Sequence, residues 1–423
     1  MIADGAMNTA EAAAVEKAAA IDKATEVFRL ERGRAVATLV RMLGDIDAAE
    51  EAVQDAFVRA LEVWPRDGIP PSPAGWIVTT AKNRGIDVAR RESTREARYA
   101  GRAIIEGEDG TERDPASGIA ERLDEPLDDD QLRLMFTCCH PALGLESQVA
   151  LTLRLIAGLE TRDIARAFLT PEATMAQRLT RAKRKISAAN IPYRVPSAEE
   201  LPERVGPVLA VLYLVFNQGY GEAQADVPDL SREAIRLTRE LSRQLPDLEA
   251  MGLLALMLLT EARRPARFGP SGEIVLLADQ DRRLWDAGLS REGRGIIAGC
   301  MVQRRPGPYQ LQAAIAAVHS MAPDFERTPW DQILALYDEL FALQPTAIVE
   351  LNRAVVVAEV HGPERALSIV DGLPLERYHL WHATRANLLG RLGRSAESRE
   401  AYLAAAGLAP TQAERDFLLR KAT

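Results

Sequence analysis

The chain is predicted to be all-α, on three observations. Aromatic residues are scarce, at 5% of 423, while alanine and leucine, which lose little on entering a helix, are abundant. Apolar residues recur at helical spacing in segment after segment. Glycines and prolines fall mostly between those segments. The length exceeds what one helical core organises, so two or three domains are expected, and 47% hydrophobic residues suffice to fill them.

Residues 1–22 are expected to form an N-terminal tail. They lack the basic start and apolar core of a secretory signal, and no apolar run in the chain reaches the roughly 18 residues of a membrane span. A cytoplasmic protein with no membrane partner is expected. Between 23 and 43, Val36, Leu39, Val40 and Leu43 follow the i, i+3, i+4, i+7 rule, and Gly44 is placed to end the helix. Asp47 to Glu50 has the form of a capping box with Asp47 as cap. The stripe Val53, Phe57, Ala60, Trp64 then marks a second helix, with Glu50, Glu51, Gln54 and Asp55 largely off that stripe. The proline-rich stretch from Pro65 to Pro73 is expected to be a loop. A third helix follows, with Trp76, Ile77, Ala81, Ile86, Val88 and Ala89 available for packing. From Lys82 to Arg102 its basic residues exceed its acids by a net +4.

The formal charge of −9 argues against a nucleic-acid partner until its distribution is considered. Eleven acids against Arg113 and Arg122, between Glu106 and Asp130, account for all of it. The remainder is neutral overall, and its basic residues are free to cluster.

The strongest cluster is Leu159 to Ile186, which has the form of a helix-turn-helix. Thr161 is expected to N-cap the first helix, with Ile164, Ala165 and Phe168 as its apolar face. Thr170 and Pro171 restart the chain, threonine as cap and proline at the first helical position. Met175, Leu179, Ala182 and Ile186 form one buried stripe of the second helix. Gln177, Arg181 and Arg184 point away from it, flanked by Arg178, Lys183 and Lys185, with no acid between Arg178 and Ala198. Such a face suits phosphates and base edges.

Three cysteines, Cys138, Cys139 and Cys300, make neither a disulfide framework nor a zinc pattern, so Cys138-Cys139-His140 reads as buried thiols rather than a metal site. Phosphate-binding, zincin and nucleophile-elbow motifs are missing, and the five histidines form no triad. No cofactor or metal is expected. From 191 the helices are punctuated by glycine and proline. Ala354 and Ala366 recur as Ala386 and Ser398, thirty-two residues on, with Gly393 in the turn between helices. This resembles a tetratricopeptide repeat, and Ile333 to Pro345 fits the second helix of an earlier copy. Gly269 to Trp285 is the least helix-like part, read as a connection in which Arg282 and Trp285 pin helical layers together.

Two basic helical modules joined by an acidic linker narrow the choice. Ala49, Glu50, Glu51, Val53, Gln54 and Phe57 fit the acidic motif of the bacterial RNA polymerase sigma factors of extracytoplasmic-function type. Trp76, Ala81, Asn83, Asp87, Arg90 and Arg91 fit their promoter-melting helix, and Ile164, Ala165, Glu172, Thr174, Arg178, Leu179, Arg181, Ala182 and Lys183 fit their helix-turn-helix. The resemblance covers residues 23–187. Asp128 to Leu143 and the long tail are similar to the subgroup with a helical-repeat extension.

The resemblance implies a tail (1–22), a first sigma module (23–100), an acidic linker (101–127), a second module with the helix-turn-helix (128–190) and a helical-repeat regulatory extension (191–423). It implies a non-catalytic initiation subunit that binds the clamp and flap surfaces of core RNA polymerase. Asp47, Glu50, Glu51, Gln54 and Asp55 would dock there, and Trp76, Lys82, Asn83, Arg84, Asp87, Arg90 and Arg91, with the loop from Arg66 to Ser72, would open the minus-10 element. The linker would lie in the polymerase channel. Glu172, Thr174, Gln177, Arg178, Arg181, Arg184 and Lys185 would read the minus-35 element, and a regulatory protein would bind the repeat domain. Two other readings stay open: a helix-turn-helix activator with a repeat sensor, dimeric on palindromic DNA, and a repeat scaffold that binds no DNA.

Overall fold

A computed structural model of the chain describes residues 3–73, 75–86, 130–168, 170–221, 229–269 and 272–423. Among the described residues the regular elements are helical, and pairing of extended backbone is limited to an isolated bridge between Phe268 and Ile274. The chain divides into two compact units, Met1–Glu233 and Ala234–Thr423, with the boundary inside the helix Leu230–Gln244.

The first unit begins with a 41-residue helix, Ala3–Leu43, so the segment expected as a tail is helical from Ala3 onward. Neither glycine nor proline occurs between Gly5 and Gly33 to interrupt this alanine-rich run. The helix stops at Gly44, whose φ of 70° turns its amide back to the Val40 carbonyl at 2.9 Å. Asp45, not Asp47, caps the next helix, Ile46–Asp67, accepting from the Ala48 amide at 2.7 Å. The turn at Gly44 leaves Asp45 in the extended conformation an N-cap needs, which places Asp47 inside the first turn. The expected loop also starts later than Pro65. A proline in the last turn forfeits one hydrogen bond, and Gly68, at φ 89°, closes the helix on the Trp64 carbonyl at 3.0 Å. Phe57 stacks on Phe28 with ring centroids 4.0 Å apart. Buried Trp64 meets Trp76 edge to face at 5.6 Å, docking the helix over 75–86 through Ile77 and Ala81. Val88, Ala89 and the rest of the expected third helix, with the acidic segment as far as Asp129, lie outside the described residues.

The helices Asp130–Cys138, Leu145–Leu151, Thr161–Ala167 and Glu172–Ala188 follow, the second continuing into a π-helical turn, Thr152–Ile156. Cys138, Cys139 and Cys300 are free, buried thiols. Burial pushes the Cys138 thiol well up and Cys139 up to about 12, the latter opposed by a contact with the Thr152 hydroxyl. The helix Leu201–Gly221 completes this unit: Arg204 donates to the Phe136 carbonyl at 2.9 Å, and Gln218 to the Ala167 carbonyl at 2.6 Å.

In the second unit, from Ala287 to Lys421, successive helices pack on their chain neighbours, as in a repeat array, while the helix Leu248–Glu261 packs on both Ala287–Met301 and Pro308–Met321. Glu249 accepts from the Tyr309 and Gln310 amides at 2.9 and 3.2 Å, capping the helix Pro308–Met321 from the side. The repeated small residues Ala354, Ala366, Ala386 and Ser398 are all buried in the helices Ala347–His361, Pro363–Asp371, His379–Arg391 and Ser395–Leu408. Ser398 donates to the Ala386 carbonyl at 2.8 Å, which requires small residues at both positions. Among the described residues between Gly269 and Trp285, two short 3-10 turns form beside the bridge at Ile274. There Arg282 donates to the carbonyls of His319 and Ala322 at 2.8 and 2.5 Å and stacks on Trp285, the pinning role read from the sequence.

Candidate nucleic-acid interface

The helix-turn-helix forms from Thr161–Ala167 and Glu172–Ala188. Both expected caps shift by one residue. Glu160 occupies the N-cap position of the first helix and Thr161 is its first residue. Pro171 occupies the N-cap position of the second, and the Thr170 hydroxyl donates to the Phe168 carbonyl at 3.0 Å instead of capping. A proline at the N-cap needs no amide partner there, so the helix still starts cleanly, with the Met175 amide reaching the Pro171 carbonyl at 3.1 Å.

Met175, Leu179, Ala182 and Ile186 are buried, as their spacing requires. That stripe fixes the rotation of the helix and thereby decides which side chains face outward. Glu172, Thr174, Gln177, Arg181, Arg184 and Lys185 are exposed. Among the described residues Arg181, Arg184 and Lys185 form no ion pair, whereas Arg178 is paired with Glu146 at 2.7 Å. Glu146 is 77% exposed, so the pair is weak, of order 0–1 kcal/mol, and Arg178 is readily released to another partner.

The first module's candidates are distributed less simply. Trp76 is half-buried against Trp64, Lys82 is half-buried and Asn83 is exposed. Arg84 pairs with Asp55 at 2.6 Å. Asp87, Arg90 and Arg91 lie outside the described residues. Glu51 and Gln54 are exposed, while Glu50 is drawn into a network that the sequence reading missed. Arg32 donates to Glu50 at 2.9 Å, to Glu160 at 3.2 Å and to the Gly158 carbonyl at 3.1 Å, with only 2% of its side chain exposed. Arg154 meets Glu50 at 3.0 Å and Glu160 at 3.1 Å. Lys183, on the recognition helix, reaches Asp47 at 2.7 Å and Glu50 at 2.5 Å.

The charges respond accordingly. Burial and the neighbouring Arg154 lower the Arg32 pKa, against the pull of Glu50 and Glu160. Burial would lower Lys183 too, but Glu50 and Asp47 outweigh it and hold the ammonium above its ordinary value. Farther along the first helix, Arg41 pairs with fully buried Asp130 at 2.8 Å, and burial raises that carboxyl despite the guanidinium. The Tyr193 hydroxyl donates to the carbonyls of Ala37 and Asp130, at 2.6 and 2.9 Å. One signal of this network was present in the sequence. Arg32 lies four residues before Val36, on the same apolar stripe, and a charge there must find partners. Its partners, up to 128 residues away, had no local signature.

A helix-turn-helix module beside a second compact helical module defines a two-part nucleic-acid-binding architecture. Residues 27–95 match the family described as Sigma-70 region 2, and residues 133–186 the family Sigma-70, region 4. Residues 204–301 match a family of unknown function, DUF6596. The chain is similar to a probable ECF RNA polymerase sigma factor, SigI, of Mycobacterium tuberculosis, 30% identical over 178 residues, 42% of this chain and 59% of that protein. It is also similar to an uncharacterized protein of Rhizobium meliloti, 45% identical over 394 residues and 92% of each chain. No solved structure matches. The chain belongs to the sigma-70 factors of extracytoplasmic-function type and carries an additional helical C-terminal domain.

Proposed function

We propose that this chain is a dissociable initiation subunit that binds core RNA polymerase and directs it to promoters with minus-10 and minus-35 elements, its C-terminal unit modulating that activity. The observation that carries the reading is the recognition helix, whose buried stripe leaves a basic face outward, free of acids from Arg178 onward, beside a matched Sigma-70 region 2. On that face Glu172 accepts from cytosine N4, Gln177 and Arg178 address purine edges, Thr174 assists, and Arg181, Arg184 and Lys185 hold phosphates. In the first module Lys82, Arg84, Arg90 and Arg91 track the phosphates of the displaced minus-10 strand, while Trp76, Asn83 and Asp87 belong to the surface that receives its bases. Asp47, Glu50, Glu51, Gln54 and Asp55 supply an acidic surface for the polymerase. The protein works in the cytoplasm, where polymerase and promoters meet.

The division of labour on the recognition helix is testable by DNA binding at several salt concentrations. Arg178→Ala is expected to cost about 1–3 kcal/mol on the specific site and to relax sequence preference. Lys185→Ala is expected to weaken specific and random DNA alike and to reduce the salt slope by about 1. Equal losses on both DNAs for both variants contradict the assignment.

A further inference from the structure

We propose that the C-terminal unit is a receptor for a small amphiphile, a single apolar chain with one anionic head, held in the groove between its successive helices. The groove lies wholly within that unit and has a volume of about 610 Å³. Sites for small molecules run from about 300 to 1,000 Å³. The repeat builds its lining. Val355, Val356 and Glu359 of the helix Ala347–His361 face it at helical spacing, and thirty-two residues on Asn387, Leu388 and Arg391 of the helix His379–Arg391 take the corresponding places. Residues 276–278 and the helix Gln412–Lys421 also contribute.

The chemistry of the lining selects the occupant. Buried Val356, Leu388 and Leu418 belong to it, and so do three large apolar side chains that stay exposed, Leu276, Val355 and Leu380, at 39, 43 and 44%. Apolar surface left open inside one cavity gains from an apolar guest. The fixed charges of the lining are Glu359, Arg391 and Lys421, since burial pushes the His319 pKa down to about 4 and leaves that ring neutral. Glu359 and Arg391 satisfy each other at 2.6 Å. Lys421 is exposed, lies over the Phe417 ring at 5.8 Å and, among the described residues, has no carboxylate partner. The surplus charge of the groove is therefore positive and faces solvent. An anionic head can pair there and stay hydrated while its chain enters the groove. A cationic head finds only a carboxylate that is already paired. A cavity of this size holds such a molecule whole, whereas a protein partner needs about 800 Å² of facing surface on each side.

The test is calorimetric titration of the full-length chain with octanoate, nonanoate and decanoate below their micellar concentrations. One ligand per chain is expected, with affinity rising about fourfold for each added methylene. Decyltrimethylammonium, of the same chain length and opposite charge, is expected not to saturate. Lys421→Ala is expected to weaken decanoate binding about fivefold at low salt. Leu380→Glu is expected to abolish it, while Leu408→Glu, equally exposed but outside the lining, leaves it unchanged. Thermal melting checks that Leu380→Glu is folded; if it is not, Lys421→Ala, at an exposed position, decides alone. No saturable binding, equal binding of the cation, an affinity indifferent to chain length, or a folded Leu380→Glu or Lys421→Ala that binds as the native chain does overturns the site. So does self-association of the native chain that Leu380→Glu abolishes in sedimentation, because a second copy then fills the groove. Binding is read without polymerase or DNA, so either result leaves the sigma-factor reading standing.

Discussion

A methyl group at position 33 has nowhere to go, because the atom it meets is backbone in a packed π-turn and cannot retreat as a flexible side chain would. Gly33→Ala is therefore expected to lower stability by about 1–3 kcal/mol. Gly206→Ala, in a helix interior with open space around it, is expected to be neutral or stabilising by up to about 1 kcal/mol. Thermal melting of the two variants decides this, and equal shifts contradict the close approach. His319 carries a pH dependence. Burial, aided by Arg263 and Arg282, pushes its pKa down to about 4. The unfolded chain thus binds more protons between that value and the usual 6.5. Stability is fully present above about 6.5 and is lost as the pH falls toward 4, by about 2–3 kcal/mol. Calorimetry across that window should show a shallower slope in His319→Gln than in the native chain, whatever the variant's absolute stability, and an unchanged slope contradicts the assignment. The thiols give a third check: with Cys138 and Cys139 buried and their thiolates disfavoured, reaction with a thiol reagent at neutral pH should track unfolding, and fast labelling of the native protein contradicts the packing.

Among the elements, those whose apolar positions repeat were legible in the sequence, and those set by a cap were misplaced by a residue or two. The recognition helix is the clear case, since Met175, Leu179, Ala182 and Ile186 define one buried line and burial decides the rotation. Asp45 and Asp47 offer the same capping side chain, and the extended backbone at Asp45 decides between them. Glu160 and Pro171 hold the N-cap positions with no side-chain cap bond, so there backbone geometry overrides the cap preference of Thr161 and Thr170. Pro65 was read as a breaker because a proline's cost depends on how many helical bonds follow it, and here the helix was already ending. Arg32 has no local signature of its partners, because a stripe reveals that a position is buried without naming what comes to meet it. The helix Leu201–Gly221 bears on any dissection of the chain. Removal of everything after Asn190 would strip Tyr193, Arg204 and Gln218 from the first unit. A cut after Asp229 keeps Leu201–Gly221 with the first unit and leaves the helix Leu230–Gln244 undivided. If the C-terminal unit modulates activity, that truncation changes promoter output or polymerase affinity, and identical output and affinity contradict the role.

For the whole molecule, the charge distribution ties sequence to function. The net −9 resides in one acidic segment, so the remainder is neutral overall and the basic recognition helix and the acidic residues of the first module are local features with no global field opposing either. The same two surfaces meet each other through Lys183, Glu50 and Asp47, which couples what the chain binds to how it is folded. Salt weakens an exposed ionic contact such as Lys183 to Asp47. The most direct test of the central claim is transcription in vitro with the full chain, core RNA polymerase and a library of genomic DNA fragments, with start sites mapped. Transcripts that appear only with the chain, and whose start sites share upstream minus-10 and minus-35 sequences, are the expected result. Failure to associate with core polymerase, or output that does not depend on upstream sequence, contradicts it.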